Sequence, residues 1–314
     1  MMNTKLTDTH KSTDDEILEH ILNDELYDDI PEDDIVLDAE DMDIVSPDSS
    51  AKEPAKKSKW GSVLRFAVLI ISAAIFCYSA YMLCSIIHEY NRDAKTNKKI
   101  DSIIVDSTTS VTADFPDGTS VTLPFKYDHQ KLLNMNQEGK GYIYIPSISK
   151  RLPIVQTDNN AYYLRRAVDH TFSMAGSIFI DYRITDGIDS SHIILHGHNR
   201  QDGTMFAQLE SYLKESFYKK SGNDVFYLYI DNKVQEYKIF SVYISEPIST
   251  TYAFNFLSDT TLQTYASTMQ SQSLYETGID VSEATQIVTL STCTDDTENR
   301  IIVHGVLTNT GYIK

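Results

Sequence analysis

The sequence predicts a mainly β domain, a closed or nearly closed barrel with a few added helices, preceded by one membrane-spanning helix. After Pro124, short β-branched or aromatic runs follow one another between turn residues such as Gly222-Asn223 and Asp231-Asn232. Ahead of them, Phe66–Ile87 form 22 residues without a formal charge. The formal net charge of −18 is concentrated before that apolar run.

The 314 residues allow about two domains, and a hydrophobic fraction of 41% excludes wholesale disorder. Three cysteines cannot staple a disulfide scaffold, and 12 glycines with 8 prolines exclude collagen-like or low-complexity chains. Residues 1–50 hold 17 Asp and Glu against Lys5 and Lys11, a local charge of −15, which leaves −3 for the rest. This balance argues against nucleic acid as a partner, because phosphates call for a basic face.

Taken in order, residues 1–59 read as an acidic cytoplasmic tail. Within Ser12–Ile30, Thr13 and Glu16 have capping-box spacing, and Ile17, Leu18, Ile21, Leu22 and Leu26 share a helical face. A solvated tail explains this stretch adequately. The sharper alternative is a docking helix for an unnamed cytoplasmic partner.

Residues 60–87 read as the anchor. At about 1.5 Å per residue its uncharged run reaches ~33 Å, enough for a hydrocarbon core of ~30 Å. It starts too late for a cleaved signal peptide. Lys52, Lys56, Lys57, Lys59 and Arg65 precede it, which puts the N-terminus inside and residues 88–314 outside, against a weaker cluster of Arg92, Lys95, Lys98 and Lys99. Residues 88–124, polar for most of their length, read as a juxtamembrane stalk.

Residues 125–314 read as the outer domain. Phe125–Asn136 suggest a short helix. Strands follow at Gly141–Pro146, Ile154–Thr157, Ser177–Asp181, His192–His198, Asp224–Ile230, Glu236–Ile244, Gln286–Cys293 and Arg300–Leu307. Helical spacing appears over Phe206–Lys220 and between Asp259 and Gln272. Eight or so strands with inserted helices suggest barrel closure.

Cys293 is the one cysteine beyond the anchor. Without a partner for a disulfide it is either a small core residue or a nucleophile. It ends the apolar strand IVTLSTC where polar TDDTEN begins, a strand-to-loop position that leaves room for substrate. An unperturbed thiol is only a few per cent thiolate near neutrality, so a neighbouring base is needed.

Of nine histidines, His192, His196, His198 and His304 lie in outer strands. His198 is read as the last residue of its strand, as Cys293 is, and follows Gly197. His196 shares its face, so His-x-His could instead ligate metal. No third ligand stands at a supportive spacing. Arg300 opens the next strand, and a six-residue loop would return it beside the thiol, where a permanent cation can stabilise an oxyanion. Alone, it reads more readily as a surface arginine paired with Asp295, Asp296 or Glu298.

Together these residues resemble the sortases, membrane-anchored cysteine transpeptidases of Gram-positive bacteria, and class B in particular. The likeness rests on Thr289-Leu290-Ser291-Thr292-Cys293, Arg300 and Gly197-His198. It extends to Gly197–Tyr212, Ala175–Arg183, Asp158–Leu164, Ile143–Gln156 and the helix-bearing insertion at about Thr250–Ser282. The resemblance covers roughly Phe125–Leu307.

It implies a closed eight-stranded barrel with N-terminal and inserted helices. Cys293 would attack a Thr–Gly or Thr–Asn type bond in the C-terminal sorting signal of a secreted protein and form a thioacyl enzyme. His198 would serve as acid and base, and Arg300 would hold the carbonyl or oxyanion. Ser291, Thr292, Asn160 and Leu164 would line the substrate groove. An amine of the peptidoglycan peptide, or of its lipid-linked precursor, would resolve the intermediate, with no metal or organic cofactor. His196 departs from the aromatic or aliphatic residue common there and could compete as base, and the acidic tail has no counterpart. Pilin polymerisation, plain cysteine proteolysis and a non-catalytic tethered binding module are the competing readings.

Overall fold

The computed structural model describes residues 59–294 and 298–313. The acidic tail, its expected helix and Asp295 and Asp296 lie outside them. The chain divides after Gly61, and everything below concerns the unit from Ser62 onward.

Helix α1 (Lys59–Ile104) has two halves in different surroundings. From Val63 to Ile87 every residue is exposed, including Phe66, Leu69, Ile70 and Phe76. Among the described residues this is the one helix long and apolar enough to cross a membrane. Beyond it, Tyr90, Asp93, Asn97, Ile100 and Ile104 recur every three or four residues and are half-buried or buried, a stripe that packs on the following domain.

The expected stalk is therefore corrected. Residues 88–104 are helix, and the rest of the segment forms β1 (Val105–Asp106), β2 (Val111–Asp114) and β3 (Ser120–Leu123), followed by β4 (Lys126–Tyr127). Val111, Ala113, Phe115 and Leu123 are buried. A flexible linker would keep such residues in water, so burial of apolar area fixes this segment to the domain.

Eight further strands close a barrel: β5 (Gly139–Ile145), β6 (Lys150–Val155), β7 (Ile178–Ile180), β8 (His192–His196), β9 (Val225–Ile230), β10 (Lys233–Ser245), β11 (Ile287–Cys293) and β12 (Arg300–Ile313). Their order is β10-β9-β5-β6-β7-β8-β11-β12, and pairing of β12 with β10 completes the ring. The β6–β7 and β8–β11 pairs are parallel; the other ring pairs are antiparallel. Strand β12 continues to Ile313, where it also pairs with β2.

Alternation along the strands produces three packed layers. Ile143, Ile178, Leu195, Phe226, Leu228, Leu290 and Val303 belong to one apolar cluster. Alternate residues such as Tyr142, Phe179 and Tyr229 meet Ile100 and Ile104 of α1 on one outer face. Phe240, Tyr243 and Ile302 meet Leu262, Tyr265 and Met269 on another. Those last three residues come from helix α4 (Asp259–Ser271), where helical spacing predicted it, and Ser258 caps it in a reciprocal pair with Thr261.

Two helix expectations shift. The first is shorter, α2 (His129–Met135), capped by Asp128. Phe206–Lys220 is not one α-helix but a 3₁₀ helix (Ala207–Leu213), a break at Lys214 and the one-turn α3 (Glu215–Tyr218). Phe206, Leu209 and Tyr212 are fully buried at strict three-residue spacing. That spacing lines up in a 3₁₀ helix and drifts in an α-helix, so packing selects the tighter form.

Candidate active site

Strands β8 and β11 run parallel with His196 opposite Ser291. Continuing both by two residues brings His198 and Cys293 to the same end of the sheet. Strand β12 then returns antiparallel with Arg300 directly opposite Cys293, as the six-residue loop predicted. A cavity of about 380 Å³ opens there, and Cys293, His198, Arg300, Ser291, Thr292, Asn160 and Leu164 all line it. All seven residues singled out from sequence thus share one wall-to-wall site. Asp181, Arg183, Phe179, His196, Gly197, Pro247 and Tyr252 complete its lining.

Contrary to expectation, His198 does not end its strand. β8 stops at His196, and His198 sits two residues beyond, half-buried. Gly197 still pairs, donating from its backbone N to Ser291 O at 3.1 Å. A Cβ at Gly197 would come within 2.5 Å of Ile178 Cδ1 and 2.7 Å of Phe206 Cδ2. Gly197→Ala is expected to cost about 1–3 kcal/mol, read by urea unfolding, and to slow the site by displacing His198.

The imidazole of His198 is held from one side: Nε2 donates to the Leu164 carbonyl at 2.8 Å. This fixes the neutral tautomer with its free lone pair on Nδ1. Burial pulls the His198 pKa below its ordinary value, and the Arg165 and Arg200 cations add to that against the opposing Leu164 hydrogen bond. The ring is therefore neutral, and able to accept a proton, at neutral pH.

His196 has a different partner. Its Nε2 donates to Asp181 Oδ2 at 3.1 Å, and its ring stacks on Tyr252 with centroids 6.0 Å apart. Arg183 donates to the same carboxylate from Nε and Nη2, both at 2.9 Å. Burial opposes the charged form of Asp181, but hydrogen bonds from His196 and Arg183 outweigh it and hold the carboxyl far below the usual range. His196 is thus tied to a structural carboxylate.

The remaining outer-strand histidines are buried. His192 and His304 lie on either side of Thr289 Oγ1, at 2.6 and 2.7 Å, away from the cavity.

The polar lining is only partly committed. Tyr252 and Ser291 hydroxyls meet at 2.9 Å. Asn160 Oδ1 accepts from Tyr182 N at 2.9 Å. Thr292 Oγ1 is buried without a hydrogen-bond partner among the described residues. A buried hydroxyl left so costs stability, and a ligand peptide could satisfy it. Arg300 Nη1 donates to Asn299 O at 2.9 Å.

In the sequence Asp181 and Arg183 stand out only as part of the family-like stretch Ala175–Arg183, and nothing there marks Tyr252. Strand β7 offers too few residues to show which side chain would meet His196.

The arrangement of sulfur, imidazole and guanidinium around one cleft suits acyl transfer, and comparison with known proteins agrees. The Sortase domain profile matches residues 143–308.

The chain belongs to the sortase family. Sortase B of Listeria monocytogenes is 29% identical over 251 residues, covering 78% of this chain and 97% of the relative. The structure of B. anthracis sortase B superposes with a TM-score of 0.57 at 30% identity, covering 71% of this chain and 99% of that one. A Staphylococcus aureus sortase B–substrate complex superposes at 0.52 and 28%, covering 58% and 84%. These likenesses place this sortase in class B, and make it a cysteine transpeptidase.

Proposed function

We propose that this sortase cleaves the C-terminal sorting signal of secreted proteins through a thioacyl intermediate on Cys293. It then transfers them to an amino group of peptidoglycan or its lipid-linked precursor. The observation that carries the proposal is the single cavity lined jointly by Cys293, His198 and Arg300.

In the proposed reaction Cys293 Sγ attacks the carbonyl carbon of a Thr–Gly or Thr–Asn type bond, and its proton passes to His198 Nδ1. The Arg300 guanidinium balances charge on the tetrahedral oxygen. The C–N bond breaks, and His198 returns the proton to the departing amine. An incoming amine then attacks the thioacyl carbon. His198 takes a proton from it and delivers that proton to Sγ as the C–S bond breaks. One amide is lost and one is formed, with no net redox change. Thr292 Oγ1, Ser291, Asn160 and Leu164 are assigned to the peptide groove.

The exposed apolar half of α1 supports a membrane anchor, and its basic N-terminal flank supports an outward-facing domain. The test incubates the full chain with internally quenched peptides containing Thr–Gly or Thr–Asn bonds, with and without triglycine. A triglycine-joined product by mass spectrometry is expected. Free acid as the only product, with triglycine present, would make the protein a hydrolase.

A further inference from the structure

The contacts that hold His198 lead back, residue by residue, to helix α1. Asp93 is 2% exposed and lies on the packed stripe of that helix. Its Oδ2 accepts a hydrogen bond from Ala175 N at 3.0 Å and lies 3.6 Å from Arg200 Nη1. Arg200 is itself buried, with its guanidinium 4.5 Å over the Tyr90 ring of α1. One carboxylate therefore grips two separate segments.

Both segments lead to the imidazole, one along the chain and the other through Leu164. Arg200 follows His198 by two residues, in a loop closed by Phe206 N donating to His198 O at 3.1 Å. Arg200 also donates to Asp202, from Nη2 to Oδ2 at 2.9 Å, which stiffens the loop from within. On the other side, Ala175 precedes Gly176, whose φ is +62°. A Cβ at Gly176 would come within 2.9 Å of Leu164 O. That oxygen is the acceptor for His198 Nε2. Asp93 thus fixes both the loop that carries the ring and the turn that backs its hydrogen-bond partner.

We infer that Asp93 and Arg200 are positioning residues, through which helix α1 sets the orientation and tautomer of His198. The inference rests on the acyl-transfer reading for its effect on rate, but not for its effect on the ring. A buried ion pair could serve packing alone, since breaking one is costly wherever it sits. The experiment must therefore read His198 itself.

The full chain in detergent micelles, with ¹⁵N-labelled histidine, reports the tautomer by ring-nitrogen shifts. The same preparations give kcat and KM for the fastest quenched Thr–Gly or Thr–Asn peptide. Wild type is expected to show the Nε2–H tautomer. Asp93→Asn and Arg200→Gln are each expected to mix the tautomers and to lower kcat about tenfold, with KM within twofold. The double variant should fall no further than either single, because the pair acts as a unit. Ile104→Ala, which loosens α1 through an apolar residue of the same stripe, should lower the unfolding midpoint while keeping the tautomer and kcat.

An unchanged tautomer and kcat in Asp93→Asn would overturn the inference. Equal tautomer mixing in Ile104→Ala would also overturn it, by reducing the pair to packing. A wild type that cleaves no peptide, yet shows the tautomer response, would sink the acyl-transfer reading and leave the positioning intact.

Discussion

Cys293→Ala is expected to abolish both peptide cleavage and amine transfer. In the proposed reaction the sulfur forms the covalent bond that divides one difficult displacement into two easier ones, and no neighbouring hydroxyl can replace it. Ser291 is hydrogen-bonded to Tyr252, and Thr292 Oγ1 is buried. Mass spectrometry should find no acyl-enzyme in this variant while the folded state persists, since alanine at this half-buried position removes only the sulfhydryl group. His198→Ala and Arg300→Ala should each slow turnover by about a hundredfold or more, as expected for loss of a general base or of an oxyanion partner. His196→Ala should cost far less, because its ring is committed to Asp181. Equal losses at His196 and His198 would reverse the assignment of the base.

Stability should fall steeply in mild acid, for a reason remote from the site. His192, Thr289, His304 and Tyr243 form one buried chain, with contacts of 2.6, 2.7 and 2.9 Å. His192 also meets Ala253 O at 2.6 Å. Burial pulls the His192 pKa down to about 4, and that of His304 well below its ordinary value, with the neighbouring His192 adding to the latter. Unfolding exposes both rings to water, where they titrate at about 6.5.

Because the folded pKa values are depressed, the unfolded chain binds protons first. The stability due to these rings is fully present above pH 6.5 and drains away as pH falls toward 4. His192 alone accounts for about 3 kcal/mol over that window. Urea titrations of the full chain in micelles at pH 7 and pH 4.5, followed by circular dichroism, should show the drop. His304→Gln, which cannot gain a proton, should make it shallower. A flat profile between those two pH values would contradict the burial of these rings.

Much of this molecule could be read from its sequence, because period-two strands and hairpin spacing are local signals. Seven of the eight ring strands stand where β-branched or aromatic runs predicted them; β6 starts four residues early and meets its expected run only at Ile154 and Val155. Arg300 pairs with Cys293 because a short loop leaves it little choice. What escaped was set by distant contacts. Asp181 meets His196 only through the register of β7 on β8. The packed stripe of α1 was hidden because its members include Tyr90, Asp93 and Asn97, which read as solvated until their partners are known. The 3₁₀ form of Ala207–Leu213 follows from three aromatic and aliphatic side chains reaching one core, which helical periodicity alone does not separate from an α-helix.

The helix that begins at Lys59 ends only at Ile104, and from Ser62 onward it contains neither glycine nor proline. A soft tether would let the barrel roam over a hemisphere. An unbroken mast does not. The 17 residues from His88 to Ile104 rise ~26 Å at 1.5 Å per residue, and from Tyr90 onward their packed stripe runs along the domain itself. With the apolar half in a bilayer, as proposed, the domain would be held near the bilayer surface, and incoming chains would meet the cleft there.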